Sequence, residues 1–175
     1  MIEAARDRLG RLDVLVANHA VSVNDSIDEL TAESVDLALA VNVRATLLLI
    51  QAFAAGFEES EGGRVILLTS GQGRGPMVRE VPYATSKAAL SGITLTLSAA
   101  LAPRGITVNT VNPGPTDTGW PSEEIRAEVV AAMPRRRWGM PEDTARLIAW
   151  LASEESEWVT GQIIDSDGGF GYGGA

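Results

Sequence analysis

Apolar residues follow two rhythms along the chain. Short runs rich in valine, isoleucine and leucine occur at 13–17 (DVLVA), 64–69 (RVILLT) and 106–111 (ITVNTV), with a last short one at 161–165 (GQIID). Runs of this length predict buried strands, and the one at 13–17 reads as buried on both faces. Elsewhere the apolar positions recur at helical spacing. Residues 31–58 predict one long helix, with Thr31 as its N-cap and Glu58-Glu59 and Gly62-Gly63 marking its exit. Residues 82–102 predict a second, opened by Pro82 and closed by Pro103 and Gly105. Residues 121–132 and 141–152 predict two more, each with proline in the first turn and acidic residues just after it. The opening stretch, MIEAARDRLGRLD, is charged and helix-like and leads straight into the first strand. The tail at 168–175 is too rich in glycine for regular structure.

Strands alternating with helices predict an α/β fold, a parallel sheet with crossover helices on both faces. No repeat and no linker divides the chain, and 175 residues suit a single domain, here 1–175. Apolar residues make up 45% of it, enough for a packed core. There is no cysteine, which removes disulfides and thiolate metal sites, and one histidine is too few for a histidine-based zinc centre. A net charge of −9 disfavours nucleic acid and anionic membrane surfaces as partners. The N-terminus lacks an apolar signal core, and the longest uncharged run, between Lys87 and Arg104, carries Ser91, Thr94, Thr96 and Ser98 and ends at Pro103. These features predict a soluble cytoplasmic protein.

The stretch YATSK sets Tyr83 and Lys87 four residues apart on the second long helix, one turn apart on one face. A nearby ammonium favours the phenolate, bringing a phenol closer to acid–base work at neutral pH. Ser70 ends a strand just before this helix. Strand ends and the starts of the following helices share the carboxyl edge of a parallel sheet, where ligands bind. Ser70, Tyr83 and Lys87 are therefore expected to converge there. The stretch GQGRGP at 71–76 follows a strand, but its glycines alternate and Pro76 precedes any helix, so it reads as an active-site loop rather than a dinucleotide fingerprint.

In these residues the chain resembles the short-chain dehydrogenase/reductase family of nicotinamide-dependent oxidoreductases. Asn18-His19-Ala20 after the first strand matches the family's Asn-Ala-Gly, and Asn42 matches its helix asparagine. Ser70 and the pair Tyr83 and Lys87 match its catalytic group. Asn112-Pro113-Gly114, followed by Thr118, matches the loop that holds the nicotinamide, and VTGQIIDSDGG is similar to the closing strand. The resemblance implies a Rossmann-type doubly wound parallel sheet, of which this chain covers the C-terminal two-thirds. It implies hydride transfer between NAD or NADP and a small carbonyl or secondary alcohol, similar to a 3-oxoacyl reductase. Tyr83 would be the general acid or base, Ser70 would hold the reacting oxygen, and Lys87 would lower the Tyr83 pKa and contact the ribose. Asn42 would hold a water linked to Lys87. Pro113 and Gly114 would shape the loop under the nicotinamide, with Thr116 and Thr118 reaching its carboxamide. Asn18, beside Ala20, would brace the central strands near the adenosine half. His19 has no assigned role, and Arg135-Arg136-Arg137 reads as a solvated loop.

The resemblance also places a glycine-rich phosphate site, and the residue that selects NAD or NADP, ahead of Met1. The expectation is therefore a truncated domain, a piece of a longer enzyme whose strand at 13–17 stands at an edge. The alternatives are a shortened, non-catalytic α/β module and a chain that completes its sheet with another. In the family the two long helices pack against a neighbouring subunit. That implies a homodimer or homotetramer through 31–58 and 82–102, with Ala88, Ala89, Gly92, Leu95 and Ala99 allowing close approach.

Overall fold

The computed structural model describes residues 1–57, 62–119 and 121–171. Glu58-Glu59, proposed as a helix exit, and the last part of the glycine-rich tail lie outside them. The elements run α1 (Ile2–Leu9), β1 (Val14–Ala17), α2 (Ala32–Ala38), a π-helical turn (Leu39–Arg44), α3 (Ala45–Ala55), β2 (Gly63–Leu68), α4 (Val81–Leu101), β3 (Ile106–Asn112), α5 (Glu123–Ala132), α6 (Pro141–Leu151) and β4 (Ile163–Asp165). The strands form one parallel sheet in the order β1-β2-β3-β4, so every strand ends at the same edge.

The period of two along β2 divides the core. Val65 and Leu67 face Ile50, Phe53, Ala54 and Phe57 of the α3 region, with Ile106 and Val108 of β3 beside them. Ile66 and Leu68 face the other way, against Leu147, Ile148 and Leu151 of α6. Helices thus cover both faces at β2 and β3, as expected. β1 differs. It is the terminal strand, and Val14 and Val16 are each 38% exposed while Ala17 is buried. Burial on both faces is therefore not observed for it. The apolar run is there, but no helix among the described residues covers that side.

Three boundaries also differ from the sequence reading. The helix at 31–58 is not uniform, because the π turn at Leu39–Arg44 interrupts it. Its N-cap is the expected one: Thr31 Oγ1 accepts from the Ser34 N–H at 3.1 Å. Pro121 stands outside α5, because Ser122 is the cap and accepts from the Ile125 N–H at 3.3 Å. β4 begins at Ile163 rather than 161, after Gly161 turns the backbone at φ +74°.

The stretch Ala32–Ala55 has the length and hydropathy of a membrane span. In this fold it lies on the sheet, with Asn42 and Thr46 fully buried and Ile50 and Phe53 in the core. The Phe53 ring stands 5.8 Å from that of Phe57. Replacing Phe53 by alanine opens a cavity at the centre of this layer and should cost about 3–5 kcal/mol of unfolding free energy. Urea denaturation checks it; a loss below about 1 kcal/mol would mean that this helix contributes little to the core.

Candidate active site

Ser70 follows β2 directly, in extended conformation (φ −149°, ψ −172°), at the carboxyl edge. Its hydroxyl lies near enough to the phenol of Tyr83, in the first turn of α4, to act on that group's acidity. Pro82 sits inside that turn, where its missing N–H costs nothing. Lys87 comes one turn later. Its Nζ stands 5.6 Å from the Tyr83 ring centroid and donates to the Leu68 carbonyl at 2.8 Å. The structure thus brings Ser70, Tyr83 and Lys87 together at one sheet edge.

The electrostatics differ from what spacing alone suggests. The Tyr83 phenol is pushed up from its ordinary value, chiefly by burial, with the Glu80 carboxylate adding to the rise and the Ser70 hydroxyl opposing it. Burial pushes the Lys87 ammonium down to about 8. Lys87 points its hydrogen bond at the Leu68 carbonyl rather than at the phenolic oxygen, so burial outweighs its attraction for a phenolate.

Asn42 lies in the π turn, wholly buried. Its Oδ1 accepts from the Val21 N–H at 2.7 Å, and its Nδ2 donates to the Val21 carbonyl at 2.9 Å and to Ser86 Oγ at 2.9 Å. Ser86 in turn donates to the Tyr83 carbonyl at 2.7 Å. The Asn42 side chain is therefore committed to protein partners, and it clamps the loop after β1 to the helix that carries Tyr83. His19 adds a second clamp, with Nε2 3.1 Å from the Val41 carbonyl. The sequence reading gave no role to Ser86 or His19. Ser86 stands inside YATSK and could have been found there. His19 could not, since its partner is a carbonyl made available in the π turn.

Asn18 and Ala20 are exposed after β1. On the other side, Gly114 adopts φ +62°, and a Cβ there would overlap Asp167. Its N–H donates to Asn112 Oδ1 at 3.0 Å. Thr116 Oγ1 donates within the same loop, to the carbonyls of Pro113 at 3.2 Å and Gly114 at 3.3 Å. Thr118 is exposed. The loop after Ser70 forms a short 3-10 turn, Gly71–Gly73, with the Gln72 side chain donating to Thr69 Oγ1 at 2.9 Å and to Ser91 Oγ at 3.2 Å. Arg137 pairs with Asp143 at 2.6 Å and Arg136 donates to the Ala131 carbonyl at 2.9 Å, so these two arginines are engaged locally.

These groups fit the ribose and nicotinamide half of a dinucleotide. An ammonium has three N–H donors, and Lys87 spends one on Leu68, leaving donors for a ribose diol beside the Tyr83 phenol. The positive φ at Gly114 seats the Pro113–Gly114 backbone tightly against the end of the sheet.

Known proteins resemble this chain in sequence and in fold. A family model described as enoyl-(acyl carrier protein) reductase matches residues 1–171. The chain is 49% identical over 170 residues to the uncharacterized oxidoreductase YjdA of Bacillus subtilis, covering 96% of this chain and 68% of that protein. It is 36% identical over 166 residues to human dehydrogenase/reductase SDR family member 4, covering 91% of this chain and 60% of that protein. Among solved structures, the angucycline C-6 ketoreductase LanV, with bound NADP, superposes at a TM-score of 0.89 and 35% identity, covering 98% of this chain and 68% of that one; a second LanV structure also holds rabelomycin. With a family model matching nearly its whole length, the chain belongs to the short-chain dehydrogenase/reductase family of oxidoreductases.

Proposed function

We propose that this chain carries the hydride-transfer site of an NAD(P)-dependent ketoreductase, acting on a small ketone or, in reverse, a secondary alcohol. The observation that carries this reading is the buried Lys87 ammonium 5.6 Å from the Tyr83 ring and tied to the end of β2, from which Ser70 emerges beside the phenol. A bound reduced dinucleotide supplies the hydride to the carbonyl carbon. Ser70 holds the carbonyl oxygen by its hydroxyl. As the carbonyl π pair moves to that oxygen, Tyr83 passes it the phenolic proton, and the alcohol results. The raised Tyr83 pKa keeps the phenol protonated through neutral pH, which suits an acid in the direction of reduction. Lys87 offers its remaining N–H groups to the nicotinamide ribose. Asn42 positions the helix through Ser86 rather than by touching the reacting atoms. On the same reading, Asn18, Ala20, Thr116 and Thr118 would meet the cofactor rather than the substrate. Within ketones, 3-oxoacyl thioesters are the substrate type we favour, on the family model's acyl-carrier description.

Tyr83→Phe should lower kcat/KM for ketone reduction by about 10²–10⁴-fold while leaving NADPH affinity unchanged. Following NADPH absorbance with a ketone panel, beside calorimetric binding, tests this; undiminished turnover in the variant would remove Tyr83 from the chemistry.

Lys87 makes stability depend on pH with a definite sign. Its folded pKa of about 8 lies below the unfolded value, so between about pH 8 and 10.5 the unfolded chain binds more protons. Stability from this group therefore rises with pH across that window. Measured against Lys87→Met by urea denaturation, the native protein should gain ground from pH 8 to pH 10; a difference independent of pH would contradict the burial of a charged ammonium.

The same reading proposes a homodimer or homotetramer. On α2, Leu37 is exposed, as is Leu48 on α3, and on α4 Ala88, Gly92, Leu95 and Ala99 share an exposed face, with Leu95 70% accessible. Sedimentation velocity should show an oligomer that Leu48→Arg together with Leu95→Arg converts to monomer. A monomeric native protein at high concentration would overturn the assembly.

A further inference from the structure

The loop that follows Ser70 is tied by charge to the opposite side of the site. Arg74 forms an ion pair with Asp165, the last residue of β4. β3 lies between β2 and β4, so the guanidinium reaches across the carboxyl end of β3. There the other Asp165 oxygen accepts from Asn112 Nδ2 at 2.8 Å, and Asn112 Oδ1 accepts from the Gly114 N–H at 3.0 Å. One continuous polar chain therefore runs from the 71–76 loop through Arg74, Asp165 and Asn112 to the Pro113–Gly114 loop. Gly171 packs on it, since a side chain there would meet Arg74 Cβ at 3.3 Å. Asp165 is only 16% exposed and also borders a cavity of about 400 Å³ shared with Arg135, Arg137, Asp143 and Asp167. A carboxylate so placed needs its cation, because removal of one partner leaves a charge poorly solvated.

We propose that the Arg74–Asp165 ion pair is a strap that fixes the 71–76 loop against the Pro113–Gly114 loop and so sets the width of the opening to Ser70 and Tyr83. Neither residue is placed on the reacting atoms; both are positioning residues that act through the loops they join. The strap selects for small ketones, and loosening it admits multi-ring ones. This inference rests on Ser70 and Tyr83 being the reacting groups. Asp165 stands in an otherwise apolar run, IID, at a strand end that a purely structural edge would leave apolar.

The test compares Arg74→Met, Asp165→Asn, the double variant and the swapped pair Arg74→Asp with Asp165→Arg, all in the full chain. Amide exchange read by mass spectrometry should speed up about tenfold at 71–76 and at Gly114 in each single variant, as loss of one charge-assisted bond implies. The double variant should exchange no faster than the singles, and the swap should restore protection at 71–76 but not at Gly114, since an arginine at 165 cannot accept from Asn112 Nδ2. In turnover, the kcat/KM ratio of a multi-ring to a small acyclic ketone should rise about tenfold in the singles and no further in the double variant. Unchanged exchange, or effects that simply add in the double variant, would overturn the strap. Faster exchange with an unchanged ratio would overturn its control of access. Exchange is read without substrate or cofactor, so its outcome stands apart from whether Tyr83→Phe abolishes reduction.

Discussion

An ammonium inside a protein needs a partner, and Lys87 has one in the carbonyl of Leu68, at 2.8 Å. That carbonyl belongs to the last residue of β2, and Ser70 leaves the sheet just beyond it. The bond therefore fixes the rotation of α4 against the strand from which Ser70 emerges. With α4 held there, Tyr83, one turn earlier, meets the Ser70 hydroxyl. The burial that makes the bond necessary also sets the proton chemistry. It weakens the hold of Lys87 on its proton and strengthens that of Tyr83. One desolvated turn of helix thus sets both the placement of these groups and the direction of their pKa shifts.

A second clasp holds the same helix. The π turn puts an extra residue into one turn of the first long helix, and such turns often mark functional sites. Here it lets Asn42 face inward, where its amide holds both backbone groups of Val21 and the hydroxyl of Ser86. Ser86 passes the restraint to the backbone of Tyr83. The polar groups in this clasp are buried and satisfied, the condition under which a polar network rigidifies a core rather than weakening it.

What the sequence shows and what it hides follow from the range of the interactions. Strands and helices declare themselves by local period, and the Tyr83–Lys87 pairing is legible because four residues make one helical turn. The openness of Val14 and Val16 is not local: it depends on what lies across the sheet. Nor is the π turn, whose inward amide answers to Val21 and Ser86, far away along the chain. The direction of the Tyr83 shift was misread for the same reason. Spacing shows that a cation is near, but not that burial exceeds its effect. The start of α5 was misplaced by a narrower margin, because Pro121 and Ser122 both signal a helix start and only one can be the cap.

The same distinction separates chemistry from specificity in this fold. Ser70, Tyr83 and Lys87 are set by one strand end and two turns of one helix, so few substitutions elsewhere would displace them. The loops at 71–76 and 113–116 carry backbone bonds of their own, from the Gly75 N–H to the Gly71 carbonyl and from the Gly139 N–H to the Pro115 carbonyl, but lie outside the strands and long helices. Their positions depend on side-chain bonds between segments distant in sequence, from Arg74 through Asp165 and Asn112 to Gly114. Changing one of those side chains would loosen the link between the two loops while leaving the bond from Lys87 to the Leu68 carbonyl where it is. A fold built this way can change its substrate through single substitutions in the loops without disturbing the reaction. It follows that the reaction is the part of the function most easily read from residues such as YATSK, and that the substrate is written in contacts no local pattern contains.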